Sequence, residues 1–96
     1  MIISFKDKAT ADIYNGLNTK EARKLPKELH SVALKKLTYL SYAHLLSDLS
    51  LPPSNHLEAL KGNYKGFHSI RVNKQWRVVF KWSSLGAENV QIIDYH

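Results

Sequence analysis

Two neighbouring segments with alternating side chains constrain the fold of this chain more than any other feature. In residues 76–82 every second side chain is large and apolar, and residues 67–72 alternate in the same way. Alternate residues of a β-strand point to the same face of a sheet, so the pattern predicts two strands. Residues 73–75 suit a tight hairpin turn, with Asn73 expected in a left-handed backbone conformation. This hairpin places Arg77 on the face opposite the apolar side chains.

Short strands and helical segments are predicted outside the hairpin. Residues 2–5 are β-prone and predict an opening strand. Residues 8–15 are expected to form a brief helix that ends at Gly16. Asn18 is followed three residues later by a glutamate, as in a capping box, which predicts a second helical turn. Residues 88–93 predict the final strand.

An apolar stripe at helical spacing predicts the main helix. Pro26 fits its first turn, because the N–H that proline lacks would be unpaired there anyway, and two consecutive prolines at 52 and 53 end the helical region. The stripe comprises Leu29, Val32, Ala33, Leu37, Leu40 and Ala43. Such a helix packs its apolar face on a sheet. The expected fold class is α+β in one domain, residues 1–96, with an N-terminal strand, a helical region and a three-stranded antiparallel sheet with helices on one face.

Positive charge is concentrated in the β-rich part of the chain. The segment from 56 to 82 contains one acidic residue, Glu58, and most of the net charge of +6. Its basic residues are Lys61, Lys65, Arg71, Lys74, Arg77 and Lys81. A local basic surface favours a polyanionic partner such as nucleic acid, the ribosome or an acidic protein.

The composition excludes several kinds of site. The chain has no cysteine, which excludes disulfides and thiolate metal sites and fits a cytoplasmic location. No signal peptide or membrane span is readable, so we expect no membrane partner. His30 and His44 would lie about 21 Å apart along one helix at 1.5 Å per residue, too far to share a metal. We therefore expect neither a metal nor a cofactor.

Three sequence blocks, in this order, resemble the HigB toxins, the plasmid maintenance killer proteins of the RelE superfamily. The blocks are residues 52–63 (PPSNHLEALKGN), 69–77 (SIRVNKQWR) and 93–96 (IDYH), and residues 3–5 (ISF) match the start of that family. The resemblance covers the full chain and implies a RelE-like microbial ribonuclease fold. It also implies the toxin of a type II toxin–antitoxin system that cleaves mRNA on the translating 70S ribosome. The implied partners are mRNA, the ribosome and a helix-turn-helix antitoxin of the HigA type, with operator DNA contacted only through the antitoxin.

The residues are consistent with RNA cleavage that needs no metal. If the 2′-hydroxyl of the RNA attacks the adjacent phosphate, the site must supply a proton acceptor, a proton donor for the 5′-oxygen and a cation for the growing charge. Arg77 is the expected cation, because a guanidinium binds phosphate through two N–H groups, and the resembling toxins carry an arginine in that role. His96 titrates near neutral pH and is expected to act as acid or base. The alternatives are a plain surface arginine and a terminal histidine without a role.

Other polar residues complete the expected site. Asp94 is expected to orient His96 or to act as a base, and alternation places those two residues on one side of the strand. Tyr95, on the other side, is expected to stack on a base or donate its phenol, or else to pack at a sheet edge. The expected phosphate contacts are Lys61, Lys65, Arg71 and Lys74, against a reading of Lys61 as a solvated turn.

The sequence departs from the family pattern at one position. Some members of the family carry a histidine where this chain has Glu58. Glu58 is a candidate proton acceptor, although a carboxylate among lysines and an arginine is a weaker base, and it is also a candidate for holding Arg77 or Lys61 in place. The acid and base assignments stay open on the sequence.

Three other functions stay open on the sequence. They are poisoning of a protein target such as DNA gyrase, non-catalytic binding to RNA or the ribosome, and cleavage of free RNA without ribosomes. The arginine and the Tyr-His end argue against the first. The second predicts that changes at His96 and Tyr95 leave growth arrest intact, whereas changes at Lys61 or Arg77 weaken binding in a salt-dependent way.

Overall fold

The computed structural model describes residues 1–95. Its sheet has four antiparallel strands in the order β1 to β4. These are β1 (Glu58–Ala59), β2 (His68–Arg71), β3 (Trp76–Ser83) and β4 (Gly86–Asp94). Two α-helices precede the sheet, α1 (Lys8–Tyr14) and α2 (His30–Tyr42). Short 3-10 turns connect these elements at Ala22–Lys24, Lys27–Leu29, Leu46–Ser50, Pro53–Asn55 and Gly62–Tyr64.

The predicted hairpin and its two faces are confirmed. Ile70 pairs with Val78 and Ser69 with Val79 across β2 and β3, so the predicted alternation is the observed one. The expected left-handed conformation of Asn73 is wrong, because among the described non-glycine residues only His56 and Asn89 have positive φ. The Asn73 side chain instead accepts the backbone N–H of Gln75 at 2.9 Å and of Trp76 at 2.7 Å. The turn is therefore closed by a side-chain acceptor.

The core lies between the helices and one face of the sheet. It joins Leu37 and Leu40 of α2 with Val78 and Phe80 of β3, all fully buried. Of the predicted helical stripe, Val32 is misplaced and is exposed, whereas Lys36 is buried. The apolar stripe is therefore narrower than predicted, and one of its borders is polar.

The fourth strand is not the one that the sequence predicts. Residues 2–5 form only two isolated parallel bridges, Ile2 to Ala87 and Phe5 to Val90. Between these bridges β4 carries an extra residue, since Val79 pairs with Gln91 but Lys81 pairs with Glu88. This bulge interrupts the ladder that an opening strand would need. The fourth strand is β1, a two-residue segment that the sequence did not reveal.

The second helical turn forms, but with a different cap. The backbone N–H of Ala22 donates to the hydroxyl of Thr19 at 3.1 Å, not to Asn18. Thr19 in turn donates to the Asp12 carboxylate at 2.6 Å, which ties the turn to α1. Asp12 is buried, so its hydrogen bond with Thr19 makes Thr19, and not Asn18, the residue that caps the turn.

Candidate functional site

The face of the sheet opposite the helices carries the charged residues of the site. Directly paired residues of antiparallel strands lie on the same face. The register pairs Glu58 with Ser69, Arg71 with Arg77, and Arg77 with Ile93. We call this surface, defined by those five residues, the open face.

Arg77 is the most firmly held side chain of the open face. Its Nε donates to the Ser69 hydroxyl at 2.7 Å, and its Nη2 donates to the backbone carbonyl of His56 at 2.5 Å. Only 12% of its side chain is exposed, and the Glu58 carboxylate lies 3.9 Å from Nη2. Burial lowers the pKa of Arg77, and Glu58 acts in the opposite sense. An arginine nevertheless stays charged, so the site holds an oriented cation.

The carbonyl that holds Arg77 comes from a fixed loop. His56 ends the turn Pro53–Asn55 in a left-handed conformation, with φ of 43°. The preceding Asn55 is fully buried, and its amide donates to the carbonyls of Leu49 and Leu51 at 3.1 Å each. The His56 carbonyl is therefore held in one position by contacts to residues outside the strands.

Sequence reasoning missed Ser69 and the backbone of His56. Ser69 is fully buried, and its position in the alternation places it beside Arg77, which is a signal the sequence does contain. No sequence signal points to the His56 carbonyl, because every residue has a backbone carbonyl.

Tyr95 lies in a group of three aromatic rings. The Tyr95 ring packs edge-on against Tyr64, with centroids 5.9 Å apart, and Tyr64 packs in the same way on Phe67. The backbone N–H of Tyr95 donates to the carbonyl of Gln75 at 3.2 Å. Tyr95 is close enough to Arg77 to raise its pKa, although by less than burial lowers it. The aromatic ring of Tyr95 is thus held near Arg77.

Asp94 is not brought together with Arg77. It pairs with Trp76, and this register turns it to the helix side of the sheet, away from the open face. Its Oδ2 accepts the Gln75 amide at 2.9 Å. The expected role of His96 falls outside residues 1–95.

The four expected phosphate contacts surround the open face unevenly. Arg71 lies on the face itself, opposite Arg77. Lys61 precedes the turn Gly62–Tyr64, Lys65 follows it, and Lys74 lies in the hairpin turn, all three exposed. Among residues 1–95, none of these four forms an ion pair. Their charges are available to an anion.

Within the described part of the chain, no three His, Cys, Asp or Glu side chains are arranged to hold a metal ion. No helix over the same residues is long and apolar enough to cross a membrane.

Comparisons with known proteins agree with the fold. Residues 3–96 match the family model described as RelE-like toxin of type II toxin-antitoxin system HigB. Toxin HigB-1 of Vibrio cholerae is 43% identical over 82 residues, which cover 85% of this chain and 84% of that protein. An uncharacterized protein of Haemophilus influenzae is 38% identical over 69 residues, covering 72% of this chain and 68% of the other.

A structural comparison adds evidence about the fold alone. The chain is similar to one chain of a heterotetrameric YoeB-YefM toxin-antitoxin complex from Staphylococcus aureus, with a TM-score of 0.54 and 18% identity, covering 100% of this chain and 98% of that one. The resemblance seen in the three sequence blocks is confirmed by the family model and the Vibrio relative. The chain belongs to the HigB-like family of RelE-like toxins of type II toxin–antitoxin systems.

Proposed function

We propose that this toxin is an endoribonuclease that cleaves mRNA in the A site of the translating ribosome and so stops translation in the cytoplasm. The observation that carries the proposal is the Arg77 guanidinium, partly buried and held by Ser69 and the His56 carbonyl on a basic face. A fixed cation stabilises charge that develops in a transition state better than a mobile one, because it needs no reorganisation during the reaction.

The reaction proceeds on the RNA's own hydroxyl. The 2′-oxygen forms a bond to phosphorus, the bond from phosphorus to the 5′-oxygen breaks, and a 2′,3′-cyclic phosphate remains. One proton leaves the 2′-hydroxyl and another reaches the departing 5′-oxygen. Arg77 stabilises the negative charge on the non-bridging phosphate oxygens. No step requires a metal or a cofactor.

Proton transfer is assigned to Glu58 and His96. Glu58 lies on the open face, 56% exposed and 3.9 Å from the Arg77 guanidinium, so its carboxylate can reach a 2′-hydroxyl beside a phosphate bound there. His96 is proposed as the donor to the 5′-oxygen. Tyr95 is proposed to stack on a base next to the scissile bond. Asp94 is proposed as a positioning residue that acts on the chain end through Gln75.

Phosphates on either side of the scissile bond are assigned to the surrounding cations. These are Lys61, Lys65, Arg71 and Lys74. The three lysines are exposed, Arg71 is half-buried, and none of the four forms an ion pair within residues 1–95, which supports the assignment. Such contacts add affinity without sequence preference.

An antitoxin is the proposed inhibitor. A solved structural neighbour is a toxin-antitoxin complex, and type II systems pair a toxin with a protein antitoxin. We propose a helix-turn-helix partner of the HigA type that covers the open face with acidic residues or an added strand, and that alone contacts operator DNA. A complex in which the open face stays exposed would contradict this mode of inhibition.

Mapping of 5′ ends tests the enzymatic proposal. A defined mRNA is incubated with the purified toxin, with and without programmed 70S ribosomes. Arg77→Ala is compared with Arg23→Ala, a matched variant, because Arg23 is an exposed arginine near α1 whose side chain bonds only Asn18 among the described residues. We expect cuts at A-site codons only with ribosomes, lost in Arg77→Ala and kept in Arg23→Ala.

The other outcomes separate the alternatives. Cuts in naked RNA would show that ribosomes are not needed. Intact RNA in every lane, with growth arrest on expression, would refute the nuclease and favour non-catalytic ribosome binding or a protein target such as gyrase.

A further inference from the structure

A groove lies beside the open face, between α2 and the β2–β3 turn. Its volume is about 660 Å³. Its basic lining residues are Lys35, Lys36, His56, Arg71 and Lys74. The remaining lining residues are uncharged, so no carboxylate of residues 1–95 lines it. The proposed function uses only the rim of this groove, at Arg71 and Lys74.

The ammonium group of Lys36 is the unusual feature of the groove. Lys36 is only 6% exposed, and its Nζ donates to the Asn55 side-chain oxygen at 2.7 Å. An ammonium has three donors, and Asn55 accepts one without supplying negative charge. Burial and the neighbouring Lys35 lower the pKa of Lys36. Among the described residues this buried cation has no ion-pair partner, only the Asn55 oxygen and the Tyr39 ring 5.6 Å from Nζ, and a bound anion would lower the cost of burying it.

The groove and the open face share two structural links. His56 lines the groove, and its backbone carbonyl accepts a hydrogen bond from Arg77. Arg71 lines the groove and is paired directly with Arg77. A polyanion that crosses the open face can therefore continue into the groove along the same strand pair.

We propose that this groove binds the phosphodiester backbone of RNA at a phosphate other than the scissile one. The inference rests on the proposed function and extends it, by assigning Lys35, Lys36 and His56 to the substrate or ribosome. The RNA is either the flank of the mRNA or the rRNA beside it, since both present the same phosphate chemistry.

The test measures binding to RNA that cannot be cleaved. A labelled, single-stranded 2′-O-methyl oligonucleotide lacks the attacking hydroxyl, so its affinity does not depend on catalysis. Fluorescence anisotropy gives the Kd between about 50 and 200 mM salt, where each phosphate contact to a single strand contributes about 0.7 to the log–log slope. A second arm measures co-sedimentation with 70S ribosomes that carry no mRNA.

The variants are matched by charge. Lys35→Gln with Lys74→Gln removes two exposed cations from the groove, and Lys20→Gln with Lys24→Gln removes two exposed cations elsewhere. Lys36→Met removes the buried cation, and its thermal unfolding is recorded beside its binding. The exposed pair keeps the test valid if Lys36→Met does not fold.

We expect the groove pair to lower the oligonucleotide slope by about 1.4 and the control pair to leave it unchanged. Unchanged oligonucleotide binding with weaker ribosome binding would also support the groove and would identify the RNA as rRNA. No change in either arm, or equal changes in both pairs, would overturn the inference. Because the probe is not cleaved, these results are independent of whether Arg77→Ala abolishes mRNA cleavage.

Discussion

Arg71 and Arg77 are paired directly across β2 and β3, so two guanidinium groups share one face of the sheet. Like charges directly opposite each other destabilise a sheet. Arg71 also contributes to lowering the pKa of Arg77. Their juxtaposition is explained if an anion binds between them, as the proposed phosphate contacts require.

Replacement of Arg77 by lysine is expected to abolish most of the cleavage. Lysine keeps the charge but cannot donate to Ser69, to the His56 carbonyl and to a phosphate in the same geometry. Loss of one oriented donor typically costs about 10²- to 10³-fold in rate. Single-turnover cleavage on programmed ribosomes measures this effect, with Arg23→Lys as the control. A rate within a few-fold of the unmodified toxin would contradict the role of the planar group.

Ser69 is expected to act only through Arg77. Ser69→Ala removes the acceptor of the Arg77 Nε–H and should slow cleavage about 10-fold, the loss of a hydrogen bond to a charged group. In the Arg77→Ala background the same change should have no further effect. The double-mutant cycle is measured by single-turnover rates. Additive effects would assign Ser69 a separate role.

Glu58→Gln distinguishes proton transfer from positioning. If Glu58 accepts the 2′-hydroxyl proton, the glutamine variant should lose kcat and also lose the acid limb of the pH–rate profile. If it only holds Arg77, the rate should fall slightly and the profile should keep its shape. The profile is recorded with saturating programmed ribosomes. The second result would show that a group other than Glu58 accepts the proton.

The Lys8–Asp12 pair gives stability a predictable pH dependence. Hydrogen bonds from Lys8, at 2.6 Å, and from Thr19 lower the pKa of Asp12 below 3.8, while the same pair raises the pKa of Lys8 above 10.5. The Asp12 contribution is present above pH 3.8 and is lost as the pH falls through its folded pKa. The Lys8 contribution is present below pH 10.5 and is lost as the pH rises through its folded pKa.

Urea unfolding checks this dependence. Asp12→Asn should be less stable than the unmodified chain near neutral pH, and the difference should shrink in acid. Glu28→Gln is the control, because Glu28 is exposed and has no ion pair among residues 1–95. A difference that does not change with pH would assign the effect of Asp12 to packing.

Leu37→Ala tests the core under the sheet. Leu37 is fully buried in the cluster that joins α2 to Val78 and Phe80. Truncation of a buried leucine costs about 2–5 kcal/mol, from lost transfer energy and the cavity left behind. Denaturant unfolding measures the cost, with Leu34→Ala, at an exposed position of the same helix, as the control. Equal losses in both variants would contradict the assigned faces of α2.

The sequence determined those features that depend on local periodicity. Alternation in residues 67–72 and 76–82 predicted β2, β3 and their faces, because side-chain direction in a strand depends only on parity. The three family blocks predicted the toxin family, and the same alternation placed Arg77 on the face opposite the apolar side chains.

Only the tertiary structure decided which groups hold Arg77 and line the groove. The His56 carbonyl lies 21 residues from Arg77, and Asn55 lies 19 residues from Lys36. The sequence pattern also predicted an opening strand at residues 2–5 and gave no sign of β1. The bulge in β4 that limits residues 2–5 to two bridges has no local signal in the sequence. These contacts join segments distant in sequence, and their geometry follows from packing the loop 51–56 between α2 and the sheet, which no local pattern encodes.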